Sequence, residues 1–182
     1  MSVKDLAPYY PVFKFVSVFA VLYILFSVGY YLFIGMEWGQ QLYPDPITAQ
    51  ISYQTQELLR LVGYNAQTYN SPTHPSVIMF IDEFKIYRII EGCNAVSVMI
   101  LFTAFVVAFA RGWRKTLSFL IIGIVFIYIV NLIRLVVLGI VYYDYSVYAV
   151  FSHKILFPGV IYGAVVLLWI YWIRNIKPKE VE

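Results

Sequence analysis

Charge is scarce in this chain: Asp, Glu, Lys and Arg make up 13% of its 182 residues. Cysteine occurs once, at Cys93, and histidine twice, at His74 and His153. A single cysteine excludes an intrachain disulfide as the staple of the fold. No His/Asp/Glu cluster has the spacing of metal ligands, so no metal site is expected. A Gly-rich phosphate loop and a dinucleotide fingerprint are both missing, which leaves no cofactor to predict. No basic patch interleaved with aromatics points to nucleic acid.

Apolar residues are abundant instead. The chain is 62% hydrophobic with mean hydropathy +0.76, which marks an integral membrane protein rather than a soluble domain. A bilayer core of about 30 Å needs about 20 apolar helical residues to cross it. Four stretches read as such spans, residues 12–36, 94–110, 116–142 and 155–173. The first is too long for the apolar region of a signal peptide and lacks a small-residue cleavage site, so a retained helix is expected there. The predicted fold is an all-α membrane domain over residues 1–182, a bundle of four transmembrane helices.

Lys and Arg set the orientation. The loop Arg111-Gly112-Trp113-Arg114-Lys115 is the densest basic cluster, with Arg174, Lys177 and Lys179 in the tail and Lys4 and Lys14 at the other end. Four spans put these regions on one side, predicting both termini in the cytoplasm. The opposite side receives the short loop 143–152 and the long segment 37–92. That segment is acid-leaning, with Glu37, Asp45, Glu57, Asp82, Glu83 and Glu91 against Arg60, Lys85 and Arg88.

An outer segment of this length should carry structure of its own. Residues 47–62 have apolar or small positions at Ile47, Ile51, Leu58, Leu59 and Val62 among polar ones, the pattern of an amphipathic helix lying on the membrane surface. A breaker-rich turn follows at residues 70–75. Residues 77–81 and 84–90 are β-rich runs around Asp82-Glu83 and predict a hairpin. In its second strand Phe84, Ile86 and Arg88 should face one way, and Lys85, Tyr87 and Ile89 the other. The hairpin either covers the end of the bundle or offers an edge to an extended peptide.

Three residues are candidates for chemistry. Cys93 opens the second span from the outer side, where a helix N-terminus favours the thiolate and Glu91 opposes it. Buried free cysteines are also commonly inert. Arg134 lies about 27 Å along the third span, near the outer boundary. A lipid-facing arginine is costly there, so it should face the interior, on one stripe with Tyr128 and Asn131 at i, i+3 spacing. The alternative is an arginine reaching headgroups. His153 opens the fourth span from the outer side, and alone would be a solvated histidine; His74 sits in a loop and reads as structural. The topology puts Cys93, Arg134 and His153 at similar depth on one face. A Cys–His pair can supply a nucleophile and protonate a leaving amine, and a guanidinium can stabilise a developing oxyanion.

These positions resemble the exosortase/archaeosortase family of membrane transpeptidases. The matches are Cys93-Asn94 at a helix start, Asn131-Leu132-Ile133-Arg134 inside a later helix, and His153 at the next helix start. They fall within residues 91–173, and the short chain is similar to the compact F-type exosortases of Bacteroidetes-like bacteria. One departure is Ala95, where the family usually has Gly.

The resemblance implies a cytoplasmic (inner) membrane protein with its site at the periplasmic face. It implies partners that are exported proteins bearing a C-terminal sorting tail: a motif, a transmembrane helix and a basic cluster. It casts Cys93 as the nucleophile that forms a thioester acyl-enzyme, His153 as general acid/base and Arg134 as the charge stabiliser. Asn131, Glu91 and Asn94 are supporting candidates. Transfer to an envelope acceptor would follow, with the enzyme acting in membrane lipid, alone or beside a companion membrane protein. The competing readings are a non-enzymatic envelope scaffold, with Arg134 paired to Glu91 or Asp144, and a transporter subunit.

Overall fold

The computed structural model describes residues 9–110 and 112–175. Lys4, Arg111, Lys177 and Lys179, four of the basic residues used to orient the chain, lie outside the described residues. The chain is mostly helical and carries one small sheet. Its elements run α1 (Tyr10–Ile34), α2 (Pro46–Leu61), β1 (Ala66–Asn70), β2 (Val77–Ile81), β3 (Phe84–Ile89), α3 (Val96–Ala108), α4 (Trp113–Asp144), α5 (Ser146–Phe151) and α6 (Phe157–Arg174).

Among the described residues, three helices are long and apolar enough to cross a membrane: Tyr10–Ile34, Trp113–Asp144 and the α5–α6 unit Ser146–Arg174. At about 1.5 Å per residue each exceeds the ~30 Å hydrocarbon core. The fourth predicted span, residues 94–110, is different. Its helix, α3, has 13 residues and reaches only about 20 Å. Two residues stop it from extending backwards. Asn94 turns its side-chain oxygen onto the Val96 N–H at 3.0 Å, and Ala95 takes a left-handed backbone with φ +61°. At the other end Gly112, at φ +82°, swings the chain into α4.

Two cores are stacked along α4. The first buries Ala95, Phe102 and Val106, Ile127 of α4, and Ile161, Val165 and Trp172 of α6. Gly123 makes it possible, since a Cβ there would overlap the Phe102 ring. Helix α1 has no buried residue and leans on α3 through Phe15, whose ring lies 5.7 Å from Phe105 and 4.2 Å from Phe109. The second core joins Leu59, Ala66, Met79, Ile81 and Ile89 to Val136, Ile140 and Tyr143 at the far end of α4. At 32 residues, α4 spans about 48 Å, so it continues past the first core to carry the second.

The predicted hairpin forms as β2 and β3, and β1 adds a third antiparallel strand in the order β1-β2-β3. The strict alternation expected in β3 fails at one place. Met79 pairs with Tyr87 but Phe80 pairs with Lys85, leaving Ile86 as the extra residue of a bulge. Ile86 and Tyr87 therefore both reach the second core.

Helix α2 forms where the amphipathic pattern predicts it. Asp45 caps it, its Oδ1 accepting from the Ile47 and Thr48 N–H groups at 3.0 Å, and Pro46 fills the first position, where an N–H is not needed. It does not lie free on a surface, however. It packs on β1, β2 and α4 and hides Thr48, Ser52, Thr55 and Gln56 along with Ile51 and Leu59. Hidden polar side chains need partners. Ser52 and Thr55 donate to carbonyls one turn back at 2.7 Å, and Gln56 accepts from Thr68 of β1 at 2.8 Å. A helix of this kind is built to dock on protein.

Candidate active site

Strand β3 leads directly into the cysteine. After Ile89 the chain makes a single 3-10 turn, Glu91–Cys93, closed by the Cys93 N–H donating to the Ile90 carbonyl at 2.8 Å. Cys93 is half-buried and its thiol is free. Because α3 starts at Val96, with Ala95 as its N-cap, Cys93 lies ahead of the helix rather than in its first turn. The helix-terminus field expected from the sequence is correspondingly weaker, since it falls off within that turn.

Asn94 fixes the turn. It is fully buried, and its Nδ2 donates to Tyr30 Oη at 2.7 Å and Thr48 Oγ1 at 3.0 Å. Together with the bond from Val96 N–H, one amide ties α1, α2 and the start of α3. Tyr30 in turn donates to the Glu91 carbonyl at 3.3 Å. Glu91 thus enters the network through its main chain, and Asn94 does so through its side chain.

The predicted polar stripe on α4 faces this turn. Tyr128 donates to Gln54 Oε1 of α2 at 2.6 Å. Asn131, fully buried, donates from Nδ2 to the Cys93 carbonyl at 2.9 Å. Arg134 follows one turn on and is half-buried. Two atoms of this stripe are buried without any partner: Asn131 Oδ1 and Arg134 Nε. An unpaired buried polar group costs about 1–3 kcal/mol, and this face of α4 carries one such acceptor and one such donor. Arg134 pairs with neither Glu91 nor Asp144. Asp144 instead accepts from Tyr64, and among the described residues the one ion pair is Arg60–Glu57, at 2.9 Å.

His153 occupies a different setting. It sits in the wide π turn Ser152–Leu156 between α5 and α6, which packs against α4. Its side chain is exposed and makes no hydrogen bond among the described residues. The structure therefore joins Asn131 to Cys93, places Arg134 one turn further along α4, and leaves His153 on the exposed turn before α6. His74 is exposed in the loop between β1 and β2.

Sequence reasoning missed Tyr87, Tyr30 and Thr48. Tyr87 belongs to the apolar cluster that holds Cys93, and its hydroxyl donates to the Leu135 carbonyl at 2.9 Å. Burial holds its phenol well above the ordinary range, with smaller opposing contributions from the nearby Cys93 and Arg134. Only its shared β3 face with Ile89 hinted at an inward position. Tyr30 lies in a run of apolar and aromatic residues with nothing to distinguish it.

Comparison with curated proteins and with solved structures returned no match. A family model described as transmembrane exosortase matches residues 13–172. That match takes in α1, residues 37–92, the cysteine turn, the α4 stripe and the His153 turn. This multi-pass membrane protein belongs to the transmembrane exosortase family.

Proposed function

We propose that the protein is a cysteine transpeptidase that cleaves the C-terminal sorting tails of exported proteins and transfers them to an envelope acceptor. The observation that carries this reading is the hydrogen bond from Asn131 to the Cys93 carbonyl. It holds the thiol beside the turn of α4 that bears Arg134, where a buried donor and a buried acceptor are both unpaired. A peptide unit offers one carbonyl and one N–H, the complement of that pair.

In this mechanism the Cys93 thiolate attacks the scissile carbonyl, and Arg134 stabilises the oxyanion that develops. The C–N bond breaks, His153 gives a proton to the departing amine, and a thioester on Cys93 remains. An amine or other nucleophile of the acceptor, giving up its proton to His153, then attacks the thioester and releases the Cys93 thiolate. The imidazole left neutral by the first step is the base that the second step needs, so the proton count closes over the cycle. Asn131, Asn94 and the Glu91 backbone hold the cysteine turn in place.

The topology proposed with this mechanism has four membrane crossings, α3 being the short one. Both termini are cytoplasmic, in the inner membrane, and the site opens at the periplasmic face. Arg114 and Lys115 at the start of α4 and Arg174 at the end of α6 support that orientation through the positive-inside rule.

The test is to co-express the protein with a sorting-tail substrate and examine it by intact-mass spectrometry. A hydroxylamine-sensitive adduct on Cys93, lost in Cys93→Ala, is the expected result. Undiminished processing by Cys93→Ala would end the nucleophile assignment.

A further inference from the structure

Tyr87 has no part in the mechanism above, yet it sits between the two chain segments that carry it. It lies in β3, which ends at Ile89, four residues before Cys93. Its hydroxyl reaches across to α4 and donates to the carbonyl of Leu135, the residue after Arg134. In an α-helix that carbonyl already accepts from the N–H four residues on, here Gly139. The phenol takes the remaining lone pair.

Gly139 faces the ring and Leu59 across this contact. A Cβ at that position would stand 3.5 Å from Tyr87 Cε1 and 3.2 Å from Leu59 Cδ1. The ring meets Tyr142 edge-on at 6.2 Å and shares its apolar cluster with Cys93. Burial keeps the phenol protonated, so it remains a donor throughout the working pH range.

We infer that Tyr87 is a positioning residue: its bond to the Leu135 carbonyl ties the Arg134 turn of α4 to the strand that delivers Cys93, and so sets the guanidinium against the thiol. This rests on the pairing of Cys93 with Arg134 in the proposed function, but its test needs no substrate. Cys93 is the chain's one cysteine, so alkylation of the full-length protein in lipid nanodiscs reports on it alone. The readout is the ratio of its rates with anionic iodoacetate and neutral iodoacetamide. A fixed guanidinium beside the thiol favours the anion, while Glu91 and Asp45 oppose it equally in every variant. Loosened packing alone changes both rates together.

Tyr87→Phe should lower that ratio about threefold, in the same direction as Arg134→Gln, by moving one unit charge away from the reacting sulfur. Tyr142→Phe should leave it unchanged. A wild-type ratio in Tyr87→Phe, with Arg134→Gln lowered, overturns the inference, as does a ratio that Arg134→Gln does not move. Should Tyr87→Phe not fold, Tyr87→Met removes the same hydroxyl and is read in the same way, an unchanged ratio again being fatal. A protein with the expected ratios that never processes a sorting-tail substrate overturns the transpeptidase reading and leaves this one standing.

Discussion

Asn131 and Cys93 are joined by one hydrogen bond, side-chain amide to main-chain carbonyl, at 2.9 Å. The bond fixes the backbone of the candidate nucleophile to the helix that bears the candidate charge stabiliser. Asn131→Asp puts a carboxylate oxygen where the donor was, and repulsion from the carbonyl moves the turn. A displacement of about 1 Å costs about 100-fold in rate. Processing by Asn131→Asp should therefore fall by about 10- to 100-fold, measured as the rate of product appearance at equal enzyme levels.

Arg134→Lys keeps the charge and removes Nε together with the planar fork. Processing should drop by about tenfold or more, because an ammonium cannot place two donors in the guanidinium's geometry. Turnover at the wild-type rate would reduce Arg134 to an anchor.

Asn94→Ala removes three hydrogen bonds at a fully buried position. Each contributes about 0.5–1.5 kcal/mol, so the loss should be about 2–4 kcal/mol. Thermal unfolding in detergent reads it as a lower Tm. Tyr30→Phe, which breaks only the links through one hydroxyl, should lower Tm by less.

Ala95 carries a left-handed backbone that costs an L-residue about 1–2 kcal/mol. Its methyl is buried and worth about 0.8 kcal/mol. Ala95→Gly should thus leave stability within about 1 kcal/mol of wild type. Ala95→Val adds a β-branch in a region closed to it and overpacks the core, and should cost about 3 kcal/mol or more. Paired Tm measurements on the two variants decide this.

Much of this arrangement was legible in the sequence because it follows from period and polarity. The long apolar runs gave α1, α4 and α6, and the Asp82 turn gave the hairpin. The i, i+3 spacing put Tyr128, Asn131 and Arg134 on one face. The rest depended on events that leave no periodic trace. A left-handed Ala95 shortened α3, and a bulge at Ile86 turned Tyr87 into the core. Helix α2 showed its amphipathic period but not its destination, because the side it hides is largely hydroxyls and amide. The pairing of Asn94 with Tyr30 and Thr48 spans 64 and 46 residues of chain. No local pattern encodes such separations.

The short α3 has a consequence for depth. From the start of α4 at Trp113, Asn131 lies 18 residues along, or about 27 Å, and it holds Cys93 at its own level. On the topology proposed above, a hydrocarbon slab of about 30 Å that starts at Trp113 closes slightly above the thiol. The neighbouring long helices overshoot that slab while α3 undershoots it, a hydrophobic mismatch within one chain. On that topology bilayer thickness becomes a working variable: a thinner membrane would lift Cys93 to the water line, and a thicker one would submerge it.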